Sequence, residues 1–422
     1  MSAVVFDARG FDEALAKAAE RYELEQRDRA FARAIAAAVL RNRGALQDVV
    51  ASFLEKPLPG NTGRLQAILL VAAAQLLILK TPPHAVISIA VDQTRADPRA
   101  RRFDRLTNAV LRRVSERGAA VLERLDAIRL NVPAWMFERW QKAYGAEMAS
   151  AIARASLEEA ALDISVKSDA ALWANKLSGE LLSAGSVRLP AGGRVEDLPG
   201  FGEGAWWVQD AAAALPARLL ADVRGLDVAD LCAAPGGKTA QLAAAGARVV
   251  AVDHSATRLQ RVRENLARLK LDAELITADV AEWTPNRSFD AVLVDAPCTA
   301  TGTIRRHPDI LHLKRETDVA ALAATQTRIL QAAARLVRPG GRLVYCTCSL
   351  EPEEGPVQVQ KLLESHSEFQ LVPITPDLIG GQSELLTESG ALRTLPMHTP
   401  AGDRESRGMD GFYAALLVKS GG

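Results

Sequence analysis

Residues 228–245, VADLCAAPGGKTAQLAAA, decide the fold. Val228 to Ala234 forms an apolar run of strand character. Pro235, Gly236 and Gly237 make a tight loop, and Thr239 to Ala245 reads as a helix. Such a strand–loop–helix unit lets backbone approach a ligand closely and offers the free N–H groups of a helix start. Outward from it the alternation continues. Strands are predicted at 247–253, 273–279, 289–297 and 341–349, and helices at Ser255–Lys270 and Glu316–Val337. Strands separated by helices imply a parallel sheet covered on both faces, a Rossmann-like α/β fold. Ligands of such sheets sit outside the carboxyl ends of the strands. The residues with chemistry fall there: Cys232 to Gly237, Asp253, Asp279, Asp295 to Cys298, and Cys348.

The chain has 422 residues, against a prior of about 150 per domain. Hydrophobic residues make up 48% and charged residues 24%, which excludes a disordered or fibrous chain. Lys and Arg number 51, as do Asp and Glu, so a wholesale basic coat for nucleic acid is excluded while local patches are not. Four cysteines give no disulfide framework and suit a reducing compartment. Residues 1–20 carry acids and no unbroken apolar segment, unlike a secretory signal. The run Leu65 to Leu79 is shorter than the ~20 residues a membrane helix needs, so it reads as a buried core helix. A cytoplasmic protein with no membrane partner is expected.

Three regions follow. Residues 1–126 show only helical patterns, a helical bundle. Residues 127–205 form a connecting α+β region, with one helix from Met136 to Ser156, a strand at Leu162–Lys167, and a Pro/Gly cluster at 190–204. Residues 206–422 carry the α/β alternation.

The glycine loop points to a nucleotide-type ligand. A P-loop needs a glycine where Cys232 stands, and a dinucleotide fingerprint needs glycines spaced unlike the adjacent Gly236 and Gly237. A ligand with a ribose and no phosphates fits better, and S-adenosylmethionine is the common one. Asp253 ends the next strand, where an acid accepts from ribose hydroxyls. Asp279 either reaches an adenine ring or is a plain loop acid. Cys298 and Cys348 end neighbouring strands, whereas Cys346 lies mid-strand as a small hydrophobe. No Cys or His spacing matches a metal site. A thiolate beside a methyl donor suits methylation at carbon 5 of a pyrimidine, since adding sulfur to carbon 6 makes carbon 5 nucleophilic. Asp295 is placed to stabilise the adduct.

CAAPGGKT (232–239), Asp253, Asp279, DAPC (295–298) and TCS (347–349) resemble the ordered motifs of the Sun/Nop-type RNA cytosine-C5 methyltransferases, over roughly residues 130–422. RDRAFARAIAAAVLR (27–41), ILLVAAAQLLIL (68–79), PPHAVISIAVD (82–92) and LTNAVLRR (106–113) resemble a NusB-like RNA-binding domain. Together they are similar to the RsmB (Fmu) type, which acts on 16S ribosomal RNA. The resemblance implies Cys348 as nucleophile and Cys298 as the residue that aids product release. It also implies a cofactor site built from Cys232, Ala233, Ala234, Pro235, Gly236, Gly237, Lys238, Asp253, Asp279 and Asp295. Two departures stand out: Thr299-Ala300 where Ser-Gly is frequent, and no Arg-x-Asn in the strand at 162–168.

RNA contacts are expected from two places. Between Arg95 and Arg117 eight arginines face three acids, with Arg101, Arg102 and Arg105 at the centre. Arg305 and Arg306 follow the DAPC loop. The target cytosine must be unstacked. A monomer is expected. The rival readings are the same chemistry on tRNA and a non-catalytic RNA-binding or transcription factor.

Overall fold

The computed structural model describes residue 4 and residues 9–190, 194–405 and 407–421. Most of the first eight residues, and 191–193 within the Pro/Gly cluster, lie outside the described residues. The chain divides into two compact units: Met1–Glu158 with His307–Lys314, and Glu159–Arg306 with Arg315–Gly422.

The first unit is helical. Its centre is the helix Leu65–Leu77, whose buried residues occupy every face. A helix apolar all round belongs in a core, and Pro83–Ala96, Asp104–Leu122 and Arg43–Ser52 pack around it. Gly44 allows the closest approach: a Cβ there would meet the Leu130 carbonyl oxygen at 1.8 Å. Asn131 Oδ1 accepts from Ala45 N at 3.0 Å, satisfying one of the unpaired donors of a helix start. The predicted helix from Met136 to Ser156 is two helices, Ala134–Tyr144 and Ala146–Ser156. Gly145 separates them at φ +85°, a conformation that ends a helix. Residues 307–314, far along the chain, also belong to this unit. Asp309 Oδ2 accepts from Phe11 N at 2.9 Å, and Leu313 packs against the cluster of Val4, Phe11, Ala37 and Leu40.

The second unit holds two sheets. Strands β1 (Leu162–Val166), β2 (Glu180–Leu181), β3 (Val187–Leu189) and β4 (Trp206–Val208) form an antiparallel sheet of order β2-β3-β1-β4. The larger sheet contains β5 (Asp227–Leu231), β6 (Arg248–Asp253), β7 (Glu274–Thr277), β8 (Phe289–Asp295), β9 (Val337–Thr347), β10 (Phe369–Val372), β11 (Leu392–Thr394) and β12 (Phe412–Lys419). Its order is β10-β12-β9-β8-β5-β6-β7, with β11 on β12. Strands β5 to β9 pair in parallel, as predicted, and β12 adds antiparallel to β9. Both faces are buried: Phe289, Val292 and Val294 of β8 enter one core, Ala291 and Leu293 the other. The parallel register sets Asp295 beside Cys346 and Asp253 beside Thr277, so the strand ends share one edge.

In the helical unit, the buried Asp97 accepts from Arg64 Nε at 2.9 Å and from the backbone of Arg99 and Ala100. Chiefly through Arg64, its carboxyl titrates at about 2 rather than the ordinary 3.8. A depressed carboxyl contributes stability above its unfolded value that is lost as pH falls through the folded one. Asp97→Asn is therefore expected to cost about 1–2 kcal/mol at pH 7, discounted because Arg64 is exposed. The deficit should vanish between about pH 4 and pH 2. Urea unfolding across that range checks it; a deficit constant with pH would refute the charge-based account.

Candidate active site

The loop after β5 is built for close approach. Gly236 has φ +98° and precedes the helix Gly237–Ala244, and Cys232 also takes a positive φ, +60°. The Ala234–Pro235 peptide is cis. Asp253, fully buried, orders this loop: its Oδ2 accepts from Ala234 N at 3.2 Å and its Oδ1 from Ser255 N at 3.0 Å. Arg258 Nη1 lies 3.4 Å from the same carboxylate. Asp279 is exposed beyond β7 and accepts from Ala281 N at 2.9 Å. Gln209, one residue past β4, stands over the loop, where a Cβ on Gly237 would meet its amide at 3.4 Å.

Lys238 points along the sheet edge. Its Nζ bonds Asp295 Oδ2 at 2.8 Å and lies 5.1 Å from the Phe412 ring centroid. Burial disfavours the ammonium, but Asp295 outweighs it and holds the charge on. Beneath the loop, Thr239 donates to Asp230 Oδ2 at 2.5 Å, while Asp230 Oδ1 is buried with no hydrogen-bond partner. Burial lifts the Asp230 carboxyl to about 7.

The two cysteines expected at the edge meet: Cys298 Sγ and Cys348 Sγ are 3.5 Å apart. The hydrogen bond with Cys348, then burial, raise the Cys298 thiol well above the ordinary range. Cys346 is buried, 3.6 Å from Asp295 Oδ1, and burial raises its thiol too. Burial likewise raises Cys232. The loop carrying Cys298 is pinned by Gly302, whose N–H bonds the Cys348 carbonyl at 2.9 Å and whose own carbonyl accepts from Gly411 N at 2.8 Å. A Cβ on Gly302 would meet the Gly411 oxygen at 2.0 Å. Gly411 lies in the Asp410-Gly411-Phe412 segment that the family resemblance already includes, whereas Gly302 carries no such signal in the sequence.

The expectation for Arg305 and Arg306 is corrected. Arg305 is buried, and its guanidinium donates to the Arg407 carbonyl. Arg306 pairs with Asp210 and, at 2.9 Å, with Asp410. Both guanidinium groups are thus engaged by groups of the protein itself. Arg101, Arg102 and Arg105 are exposed on the helical unit. Arg105 lines a groove of about 530 Å³ with His84, Arg95, Asn108 and Arg112. Among the described residues, no group of three or more His, Cys, Asp or Glu side chains stands together as a metal site. Nor is any described helix long and apolar enough to cross a membrane.

The residues of the edge fit S-adenosylmethionine. The loop is small and positive-φ, acids end β6 and β8 with a third just beyond β7, and the paired Lys238 leaves no ammonium aimed at a phosphate. Comparisons agree. The family model described as 16S rRNA methyltransferase RsmB/F matches residues 217–418, and that of the NusB family matches residues 5–116. Ribosomal RNA small subunit methyltransferase B of Vibrio cholerae is 37% identical over 95% of this chain and 92% of its own length. The protein of that name in Xanthomonas campestris is 36% identical over 94% and 90%. A solved methyltransferase homologue from Pyrococcus horikoshii is 28% identical with TM-score 0.57, covering 69% of this chain and 97% of its own. A helical NusB domain followed by a two-thiol methyltransferase sheet, matched along nearly its whole length, places the chain in the ribosomal RNA small subunit methyltransferase B family of S-adenosylmethionine-dependent methyltransferases.

Proposed function

We propose that the protein forms 5-methylcytosine in 16S ribosomal RNA through a covalent adduct between Cys348 and carbon 6 of the base. The observation that carries this reading is the pair of thiols, Cys298 and Cys348, 3.5 Å apart on the loops that leave β8 and β9. The named relatives act on small-subunit ribosomal RNA by their names, which favours that substrate over tRNA. Intact thiols argue against a non-catalytic RNA-binding factor.

S-adenosylmethionine supplies an electrophilic methyl on a sulfonium. Cys348 as thiolate adds to carbon 6, forming the S–C6 bond and making carbon 5 electron-rich. Carbon 5 takes the methyl as the sulfonium C–S bond breaks. The carbon-5 proton then leaves to a base, the C5–C6 double bond returns, and the Cys348 thiolate is expelled. Cys298, held as a thiol by Cys348 and by burial, is a poor rival nucleophile and suits the release step. Asp295, held by Lys238, would stabilise the adduct at the pyrimidine edge. Asp253 and the small loop orient the cofactor ribose, and the exposed arginines of the helical unit bind phosphates.

Three outcomes test this. On denaturing gels with substrate RNA and cofactor, Cys298→Ala is expected to trap a slow-migrating protein–RNA band. Cys348→Ala and the double mutant should show none. A band from Cys348→Ala would make Cys298 the nucleophile.

Asp253→Ala is expected to weaken S-adenosylmethionine binding about tenfold to a hundredfold, the worth of a charge-assisted hydrogen bond. Unchanged affinity by calorimetry in a folded variant removes Asp253 from the site.

Reversing Arg101, Arg102 and Arg105 to Glu should weaken RNA binding and make the log–log salt slope shallower by about two to three. Cofactor affinity should hold. An unchanged RNA affinity and slope would mark the patch as a solvated face.

A further inference from the structure

The residues flanking the two thiols converge on one buried side chain. Glu354 ends the short 3₁₀ turn Pro352–Glu354 and is 0% exposed. Its Oε1 accepts from Thr299 N and from Gln326 Nε2, each at 3.0 Å. Its Oε2 accepts from the hydroxyls of Thr299 and Ser349. Its backbone carbonyl accepts from Thr347 Oγ1 at 3.2 Å and from the Tyr345 hydroxyl at 2.8 Å. Gln326 Nε2 also donates to the Pro297 carbonyl at 2.9 Å. Pro297 and Thr299 bracket Cys298, and Thr347 and Ser349 bracket Cys348. Both neighbours of each thiol are thus tied to this residue, directly or through Gln326.

Burying a carboxyl is costly unless hydrogen bonds replace water. Here the replacements come from backbone and side chains of two loops that are 50 residues apart in sequence and from Gln326 of the helix Glu316–Leu336. An apolar residue would fill the space without that cost, but the two loops would keep only their direct links, Gly302 N to the Cys348 carbonyl at 2.9 Å and Thr299 Oγ1 to Ser349 Oγ at 3.1 Å, and lose the carboxylate that gathers both thiols' neighbours. We propose that Glu354, with Gln326, is a positioning residue that fixes the spacing of the two thiols through Thr299 and Ser349, without touching substrate. This rests on the two-thiol reading above. Burial raises the Glu354 carboxyl against the pull of its hydroxyl donors. Whatever negative charge it carries adds to the forces that keep Cys298 protonated.

The test measures spacing and turnover separately. Spacing is read by phenylarsine oxide, a trivalent arsenical that chelates two thiols only when both reach one arsenic. Wild type should bind it as a chelate and Cys298→Ala should not. Glu354→Ala should lose about tenfold or more in arsenical affinity, because the second thiol no longer arrives at high effective concentration. Its kcat should fall about a hundredfold, since small misplacements of reacting groups are that costly. The KM for RNA and cofactor affinity should change by no more than about threefold, as for a residue acting only on the reacting geometry. Glu354→Gln keeps the size and one acceptor, and its amide can meet the rotated hydroxyls. It should restore most of both readouts, which a merely electrostatic role would not allow.

Wild-type kcat and arsenical affinity in Glu354→Ala would overturn the proposal. If Glu354→Ala does not fold, Gln326→Ala and Ser349→Ala carry the test. Each should lower kcat about tenfold while binding cofactor normally, and wild-type turnover in both would overturn it. Failure of the parent reading is distinguishable. Turnover retained by Cys348→Ala would defeat the thiol chemistry, whereas unchanged arsenical affinity in Glu354→Ala with an inactive Cys348→Ala would defeat the clamp alone.

Discussion

The parallel pairing of β8 with β9 is the constraint on which the site depends. Asp295 stands beside Cys346, so both strands leave the sheet at one level. The loops that follow rise side by side, and the thiols of Cys298 and Cys348 end 3.5 Å apart. Nothing in the thiols sets that register. It is set by burial on two faces: Val292 and Val294 of β8 and Leu343 and Tyr345 of β9 enter one core, while Leu293, Val344 and Cys346 enter the other. A slip of one residue would exchange these faces. Apolar packing below the edge thus determines chemistry above it.

Above the edge the chain relies on buried polar groups. Arg306 sits between Asp210 and Asp410, tying the segment before the first helix of the methyltransferase sheet to the start of its last strand. The two acids do not share the arginine equally. Burial works against both, yet Arg306 pulls Asp210 below the ordinary range, while burial and the neighbouring Asp210 lift Asp410 to about 7. Such buried pairs add little net stability compared with apolar packing. Their contribution here is orientation: Asp410 precedes Gly411, whose carbonyl leaves no room for a side chain on Gly302.

The sheet was legible because strands buried on both faces read as apolar runs, and the strand-end rule then picked out Asp253, Asp295, Cys298 and Cys348. What was hidden involves partners distant in sequence. Arg305 and Arg306 read as a basic loop; only the fold brings Asp210 and Asp410, 96 and 104 residues away, to meet Arg306. Residues 307–314 continue that loop in sequence yet belong to the helical unit, through Asp309 and Leu313. Glu354 looks like one acid among several after the TCS motif, and only the four donors that meet its carboxylate, three from side chains and one from backbone, set it apart. Gly145 was passed over because a single glycine within an alanine-rich stretch is compatible with a helix, and only its positive φ shows the break.

Lys238 shows how the same residues can suit different ligands. A lysine after paired glycines suggests a phosphate cradle, but this one is turned to Asp295 and lies over Phe412. Arg258, another cation near the loop, is held by Asp253 and by the Ala234 carbonyl. Each of these two cations already has a carboxylate, and Asp230 and Asp279 add further acidic groups along the same edge. Asp230 is only partly ionised near neutral pH, since burial lifts it to about 7. The field at the loop therefore leans negative rather than positive. A triphosphate would meet repulsion there, whereas S-adenosylmethionine, whose sulfonium and ammonium outnumber its single carboxylate, does not. The charges at the loop thus favour a methyl donor over a nucleoside triphosphate on grounds separate from its glycine spacing.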